Sequence, residues 1–331
     1  MRHHRAVITW AVLAVLVVAG FAGAVVSLNG TMYSAAGFTG SYLSALSRHD
    51  ISAALKLAGP TETNTGVNAS RDLLDSRALG ELSDIRLISD VDQGGGVHRV
   101  RYAYSMSTTS GAGKITAATT FEVTRDGTLL GLFSGWAFAA SPVGTLAITP
   151  KNDAGFTVNG VQLNSTAPSV ALQQQVLTPG LYALGNDSTL FTAKPVYVGI
   201  SKAGATAKAT VEVQANETFV SQVQTGLNEQ LKECATQKVL LPTGCPFGKQ
   251  IDDRIEGTPA WSIVKNPPVT IVPDATPGTW QVPQAHGTAH LAVKVRSLFD
   301  GSVKTLDDDV PFTISYAITF KSNGQLVITS Q

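Results

Sequence analysis

Charge is scarce in this chain. Only 15 % of its 331 residues are Asp, Glu, Lys or Arg, and 24 basic side chains are balanced by 24 acidic ones. Ordinary globular chains carry ~25 %. Without an excess of positive charge the chain has little with which to neutralise a phosphate backbone, which argues against a nucleic-acid partner. Disorder is excluded from the other side, because 44 % of the residues are hydrophobic and the net charge is zero. Cysteine is nearly absent, with two residues. Long apolar runs are equally few: one stretch alone is long enough to span a bilayer, so this is not a polytopic membrane protein. At roughly 150 residues per domain the length suggests two or three domains.

The one long apolar run opens the chain. Arg2, His3, His4 and Arg5 make a basic head, and Ala6 to Leu28 follow without a charge. At ~1.5 Å per residue this run reaches about 34 Å, enough for a ~30 Å hydrocarbon core. Trp10 suits the interface, and the next charge after Arg5 is Arg48. The expected topology is a cytoplasmic head at 1–5, a transmembrane signal anchor at 6–28 and an extracytoplasmic body. The alternative is a cleaved signal peptide and a secreted body, since Ala22-Gly23-Ala24 resembles a cleavage site. Val25, Val26 and Leu28 continue the run past that site, which favours the anchor. In an oxidising compartment Cys234 and Cys245 would pair, closing a loop worth ~3 kcal/mol in the chain-entropy model. The alternative for them is two unpaired buried thiols. No further Cys or His stands nearby to complete a zinc site.

The body reads as α+β. Phe38, Tyr42 and Leu46 recur at four-residue spacing, and Asp50 can cap a second helix over Ile51–Ala58 that Gly59-Pro60 ends. Residues 61–69 are polar and turn-like, and Ser70–Leu79 is expected to form another short helix. Strands follow. Val100, Tyr102, Tyr104 and Met106 share a face, as do Ile115, Ala117, Thr119, Phe121 and Val123, and Asp126-Gly127 predicts a hairpin before a strand over Leu129–Phe138. Helices first and an antiparallel meander after them make a first α+β domain at 35–141. Residues 143–214 predict a small all-β domain, with a hairpin at Asn159-Gly160. From 215 to 331 helix precedes sheet again. Phe219, Val223, Leu227 and Leu231 mark a helix with Cys234 in its last turn, and strands follow over Trp261–Val264, Thr270–Val272, Gly287–Val295, Val310–Phe320 and Leu326–Thr329. The first and third units look like loosely matching versions of one design.

The segment from Tyr42-Leu43-Ser44-Ala45-Leu46 through Ser47-Arg48-His49-Asp50-Ile51 to Ala54 resembles the opening helix pair of the NTF2-like fold. The piece running from Trp136 through Val158-Asn159-Gly160-Val161 to Pro179-Gly180-Leu181-Tyr182 resembles bacterial membrane-anchored envelope proteins of the TcaA type. The resemblance covers nearly the whole chain and implies an anchor, an NTF2-like domain, a PEGA-like β module and a second NTF2-like domain. The N-terminal zinc ribbon that many relatives carry is not expected here, since only four residues stand between Met1 and the apolar run. What the resemblance implies is a non-catalytic envelope protein, with no ligand or catalytic residues to carry over.

Chemical motifs are weak. Ser262-Ile263-Val264-Lys265 matches S-x-x-K, but the segment is β-like and neither S-D-N nor K-T-G occurs. His286 and His290 on one strand would lie ~13 Å apart, too far for one metal. Asp307-Asp308-Asp309 reads as a charged loop before a strand, and the Gly111–Lys114 turn lacks the first glycine of a phosphate loop. Sequons at Asn29, Asn68, Asn164, Asn186 and Asn216 mark polar loops. Tyr42, Tyr102, Tyr104, Phe121 and Trp136 form a candidate pocket, or else plain core. No catalytic residue, metal or cofactor is indicated.

The function expected is binding by a single-pass cell-envelope protein. Its partners would be the membrane, through the anchor, and the cell wall or another membrane protein. The alternatives are a small-ligand sensor using an NTF2-like pocket, and an envelope hydrolase or isomerase. His49 or His98 inside a cavity beside a carboxylate would favour an enzyme. An open cavity lined by the tyrosines would favour a sensor. Filled cores with one exposed apolar patch on an outer module would favour a scaffold.

Overall fold

A computed structural model of the chain describes residues 2–60, 69–321 and 324–331. The side chains of the basic head and the polar stretch 61–68, with the Asn68 sequon, lie outside the described residues. Helix α1 (Arg2–Gly30) contains a segment, Trp10–Gly30, with mean hydropathy 2.6 and none of it buried, long and apolar enough to cross a membrane. The Ser34 hydroxyl accepts from Gly37 N and starts α2 (Ala35–Ser47), and Asp50 caps α3 (Ile51–Ala58) through Ala53 N.

These two helices lie on a four-stranded antiparallel meander of β1 (Glu81–Gly94), β2 (Val97–Ser107), β3 (Ile115–Leu129) and β4 (Phe133–Phe138). Alternation works as the pleat requires. Val100, Tyr102, Tyr104, Met106, Phe121 and Val123 are buried, while Arg99, Arg101 and Glu122 face solvent.

Two expectations for this region fail. Ser70–Leu79 is not a helix but a loop with one 3-10 turn at Ser76–Ala78. Ser70 bonds backbone to backbone with Gln173 and Gln175, and the Asp75 carboxylate accepts from Arg77 N, so the polar groups find partners outside any helical ladder. Asp126-Gly127 is not the hairpin turn either. The strand continues to Leu129 and turns at Leu130-Gly131, both at positive φ. Gly127 (φ 67°) instead sits in a bulge between Arg125 and Thr128, and Gly135 opposite has the Asp126 carbonyl 2.2 Å from where a Cβ would stand.

The second unit is a seven-stranded sheet ordered β7-β6-β9-β10-β11-β5-β8. Its strands are β5 (Val143–Lys151), β6 (Gly155–Val158), β7 (Val161–Asn164), β8 (Leu172–Leu177), β9 (Gly180–Asp187), β10 (Phe191–Ile200) and β11 (Thr206–Ala215). β5 and β11 pair in parallel, and the other strand pairs are antiparallel. Asn159-Gly160, both at positive φ, turns β6 into β7.

The third unit begins with α4 (Glu217–Ala235), capped by Asn216 through Phe219 N. Its buried stripe is Phe219, Val223, Leu227, Leu231 and Cys234, the spacing of one helical face. It packs on a six-stranded sheet of β12 (Arg254–Ile255), β13 (Ala260–Lys265), β14 (Val272–Pro273), β15 (Trp280–Arg296), β16 (Val303–Phe320) and β17 (Leu326–Ser330). Asp307-Asp308-Asp309 falls within β16 rather than in a loop before it, paired with Ala292, Leu291 and His290. The strand tolerates three acids because they meet cations: Asp307 and Asp309 flank His290, and Asp308 pairs with Lys249.

The units share cores. Val143, Leu177 and Leu181 of the second sheet belong to the first core, while Leu73 and Ala78 from the 69–80 loop belong to the second. Phe191 of β10 stacks on Trp280 of β15, ring centroids 5.1 Å apart.

Candidate functional site

The candidate pocket aromatics are mostly filled core. Tyr42 is fully buried, and its hydroxyl donates to Thr178 O at 2.7 Å with Pro142 O at 3.2 Å. Tyr104 bonds Thr119, whose hydroxyl donates to Ser201 O at 2.8 Å. Phe121 packs edge-on to Tyr42 and tilted against Phe138. Trp136 is half-buried and donates to Tyr33 O at 2.8 Å. Tyr102 borders an open concavity of about 550 Å3 together with Met32, Gly37, Gly40, Arg48 and Leu87, and its hydroxyl is already given to Ala36 O. Burial pushes the phenols of Tyr42, Tyr102, Tyr104 and Tyr182 up from the ordinary value, as expected for groups kept neutral.

Neither histidine of interest sits in an enclosed site. His98 Nδ1 is 2.7 Å from Asp90 on neighbouring β1, with Asp92 at 3.8 Å from Nε2 and the Trp136 ring edge-on. His49 Nε2 lies 3.3 Å from Gly80 O and 3.9 Å from Glu81. His290 bonds Asp309 from Nδ1 and faces Asp307 from Nε2, and these bonds raise its pKa. Ser262 and Lys265 lie on β13 as exposed strand residues.

Cys234 and Cys245 are disulfide-bonded, with Cα atoms 5.8 Å apart. The bridge ties the last turn of α4 to the loop that follows. In that loop Val239 O accepts from the Trp261 indole at 2.8 Å, and Gln237 bonds both ways with Thr243.

Two exposed apolar tips were not singled out by the sequence, and they lie at opposite ends of the series of units. β15 begins beside the second unit at Trp280 and runs 17 residues, ~55 Å at strand rise, to Arg296. Beyond it the loop Ser297–Ser302 turns into β16. Phe299 is 100 % exposed and Leu298 72 %. This loop is ordered by its own polar groups. The Ser297 hydroxyl accepts from Phe299 N and Asp300 N, and Arg296 binds Glu256 through two nitrogens while donating to Gly301 O at 2.9 Å. The backbone N–H and hydroxyl of Ser302, with help from Ser297, pull the Asp300 carboxyl down to about 2. The polar atoms are thus turned inward and the two apolar side chains outward. The signal that could have found them is two large apolar residues inside an Asp-Gly turn between strand patterns.

At the other end β3 starts near the second unit, where Ile115 approaches Gly199, and finishes at the Leu129–Phe133 turn. Leu129, Leu130 and Leu132 are 53, 89 and 47 % exposed. Asn29, one residue from the end of α1, clamps this turn: its Nδ2 donates to Leu132 O at 3.0 Å and its Oδ1 accepts from Ser134 N at 2.8 Å. Tyr33 stacks on Phe133 at 4.3 Å and accepts from Trp136.

Comparison of the chain with protein-family models, with curated proteins and with solved structures finds no match.

Proposed function

We propose that this chain is a single-pass cell-envelope protein whose body lies outside the membrane and works by binding, without catalysis. In this reading α1 is the uncleaved anchor, with the basic head in the cytoplasm. The first and third units are NTF2-like, the second is PEGA-like, and the string is of the TcaA type. Support for the NTF2-like reading comes from the helix pair laid on a four-stranded meander and from the repeated helix-then-sheet order.

The observation that carries the binding role is the Leu298–Phe299 tip. A fully exposed phenylalanine on a loop pinned by its own hydrogen bonds contributes nothing to the core. It is held at the end of the last unit, the end remote from α1. Such a rigid aromatic is the kind of anchor that dominates binding interfaces. The partner proposed is the cell wall or another envelope protein.

A small-ligand sensor is the second reading, favoured by the open concavity at Tyr102. The filled packing around Tyr42, Tyr104 and Phe121 supports the binding role instead.

The test is co-sedimentation of the detergent-solubilised chain with isolated cell-wall sacculi. Saturable pelleting that F299S and L298S weaken at least tenfold is expected. Absence of pelleting by the folded chain overturns wall binding and directs the search to a membrane-protein partner.

A further inference from the structure

The Leu129–Phe133 turn lies against the end of α1 with a fixed direction. Asn29 bonds Leu132 and Ser134, and Tyr33, four residues further along the chain, bonds Trp136. The chain leaving α1 and strand β4 therefore advance side by side in the same direction. Residues before Leu132 in β4's hairpin must lie on the other side of Asn29, alongside the apolar helix. Leu130 and Gly131 form the crown of the turn that Leu132 N closes on Leu129 O, so they lie further back along α1 than Asn29. The residues of this turn are apolar, with Leu129, Leu130 and Leu132 all exposed. No charged residue occurs between Asp126 and Lys151. Aromatic side chains Tyr33, Phe133 and Trp136 form the next layer, and Arg125 stands over the Trp136 ring at 5.7 Å while bonding Ser134. Apolar tip, aromatic layer and then a cation is the order found from the acyl boundary outward across a bilayer interface.

We infer that the β3–β4 hairpin tip, Leu129 to Leu132, inserts into the outer leaflet beside α1 as a second membrane contact. The occupant of this exposed patch is lipid. The clamp to Asn29 places the leucines at the depth where the apolar run of α1 ends, and insertion of ~5–10 Å is what interfacial apolar elements reach. The inference rests on the proposed reading of α1 as a spanning anchor, and the experiment separates the two.

The native cysteines are bonded to each other, so V18C, L130C and F299C can each carry an environment-sensitive fluorophore selectively in the full-length chain. Each variant is reconstituted in phosphatidylcholine–phosphatidylglycerol vesicles with and without brominated acyl chains. The labels at V18C and L130C are expected to shift to the blue and lose emission to the brominated lipid, while the label at F299C does neither. Quenching at V18C with L130C behaving like F299C overturns the hairpin insertion and leaves the anchor standing. A blue shift at L130C without lipid quenching means that protein, such as a second copy, covers the tip, and it also overturns lipid insertion. Absence of quenching at V18C removes the anchor and the inference together.

Discussion

The hydroxyl of Tyr42, on the first helix of the body, donates to the carbonyl of Thr178 in the second unit at 2.7 Å. Both the ring and the bond are fully enclosed, so this contact fastens two units that the chain separates by more than a hundred residues. Y42F leaves the Thr178 carbonyl without its side-chain donor, while Pro142 O keeps the Thr178 backbone N–H at 2.9 Å. A loss of about 1–3 kcal/mol is expected, because a buried acceptor without a partner costs that much. Thermal unfolding should show the first two units weakened together rather than one alone.

The same phenol predicts behaviour at high pH. Tyr42 and Tyr182 are both raised above the ordinary tyrosine value near 10, chiefly by burial. Their neutral forms stabilise the fold fully below the unfolded value, and that stability drains as pH rises toward the folded values. The buried pair should ionise only together with loss of near-ultraviolet circular dichroism. Ionisation of every tyrosine in the intact fold would contradict this.

His290 gives the opposite end of the scale. Its raised pKa, caused by the bond to Asp309 and then by Asp307, means that its contribution is complete below the unfolded value near 6.5. The contribution is lost as pH rises through the folded value. The third unit should melt at a higher temperature at mildly acidic pH than at mildly alkaline pH, beyond any change in H290N. Proton NMR titration of D307N/D309N should return His290 to the ordinary range.

Reduction of the Cys234–Cys245 bridge should act locally. Loops of this size gain ~3 kcal/mol from closure. C234S/C245S is expected to lower the melting point of the third unit and to open residues 236–250 to protease. The first two units, which make no contact through the bridge, should resist cleavage as before.

Phe191 tests the second joint. Its ring stacks on Trp280 and meets Phe219 and Phe320 edge-on. F191A should cost ~2 kcal/mol or more, short of the ~3–5 for a fully buried phenylalanine. It should also make the linkage near Ala215-Asn216 the first site of limited proteolysis.

The elements that could be read from sequence are those whose signal is local. The four-residue spacing from Phe219 to Leu231 and the cap at Asn216 are complete within α4 itself, and Asn159-Gly160 carries its turn in two residues. Asp126-Gly127 misleads because a positive-φ glycine serves a bulge as well as a turn, and only the pairing of β3 with β4 decides between them. Asp307-Asp308-Asp309 looks like a loop until Lys249 and His290 arrive from elsewhere in the chain. The helix expected at Ser70–Leu79 gives way because its polar groups bond to β8, about a hundred residues later. The two apolar tips were hidden for a similar reason. Leucine and phenylalanine near a turn look like more strand, and only the register of the flanking strands places Leu130, Leu132, Leu298 and Phe299 beyond the last pair.

The clamp at Asn29 has a mechanical consequence. A flexible tether would leave the body free to swing about the membrane surface, whatever the attitude of the helix. Here both ends of the Asn29 amide hold the β3–β4 turn to the last turn of α1, and Tyr33, three residues past the helix, adds a ring stack and an indole bond to β4, so the first unit follows the helix axis. Spanning helices lean when the bilayer is thinner than their apolar length. In the proposed anchored form, such a lean would be carried through β3 and the joints at Tyr42 and Phe191 to the far tip. The sideways position of Phe299 would then be a reading of bilayer thickness.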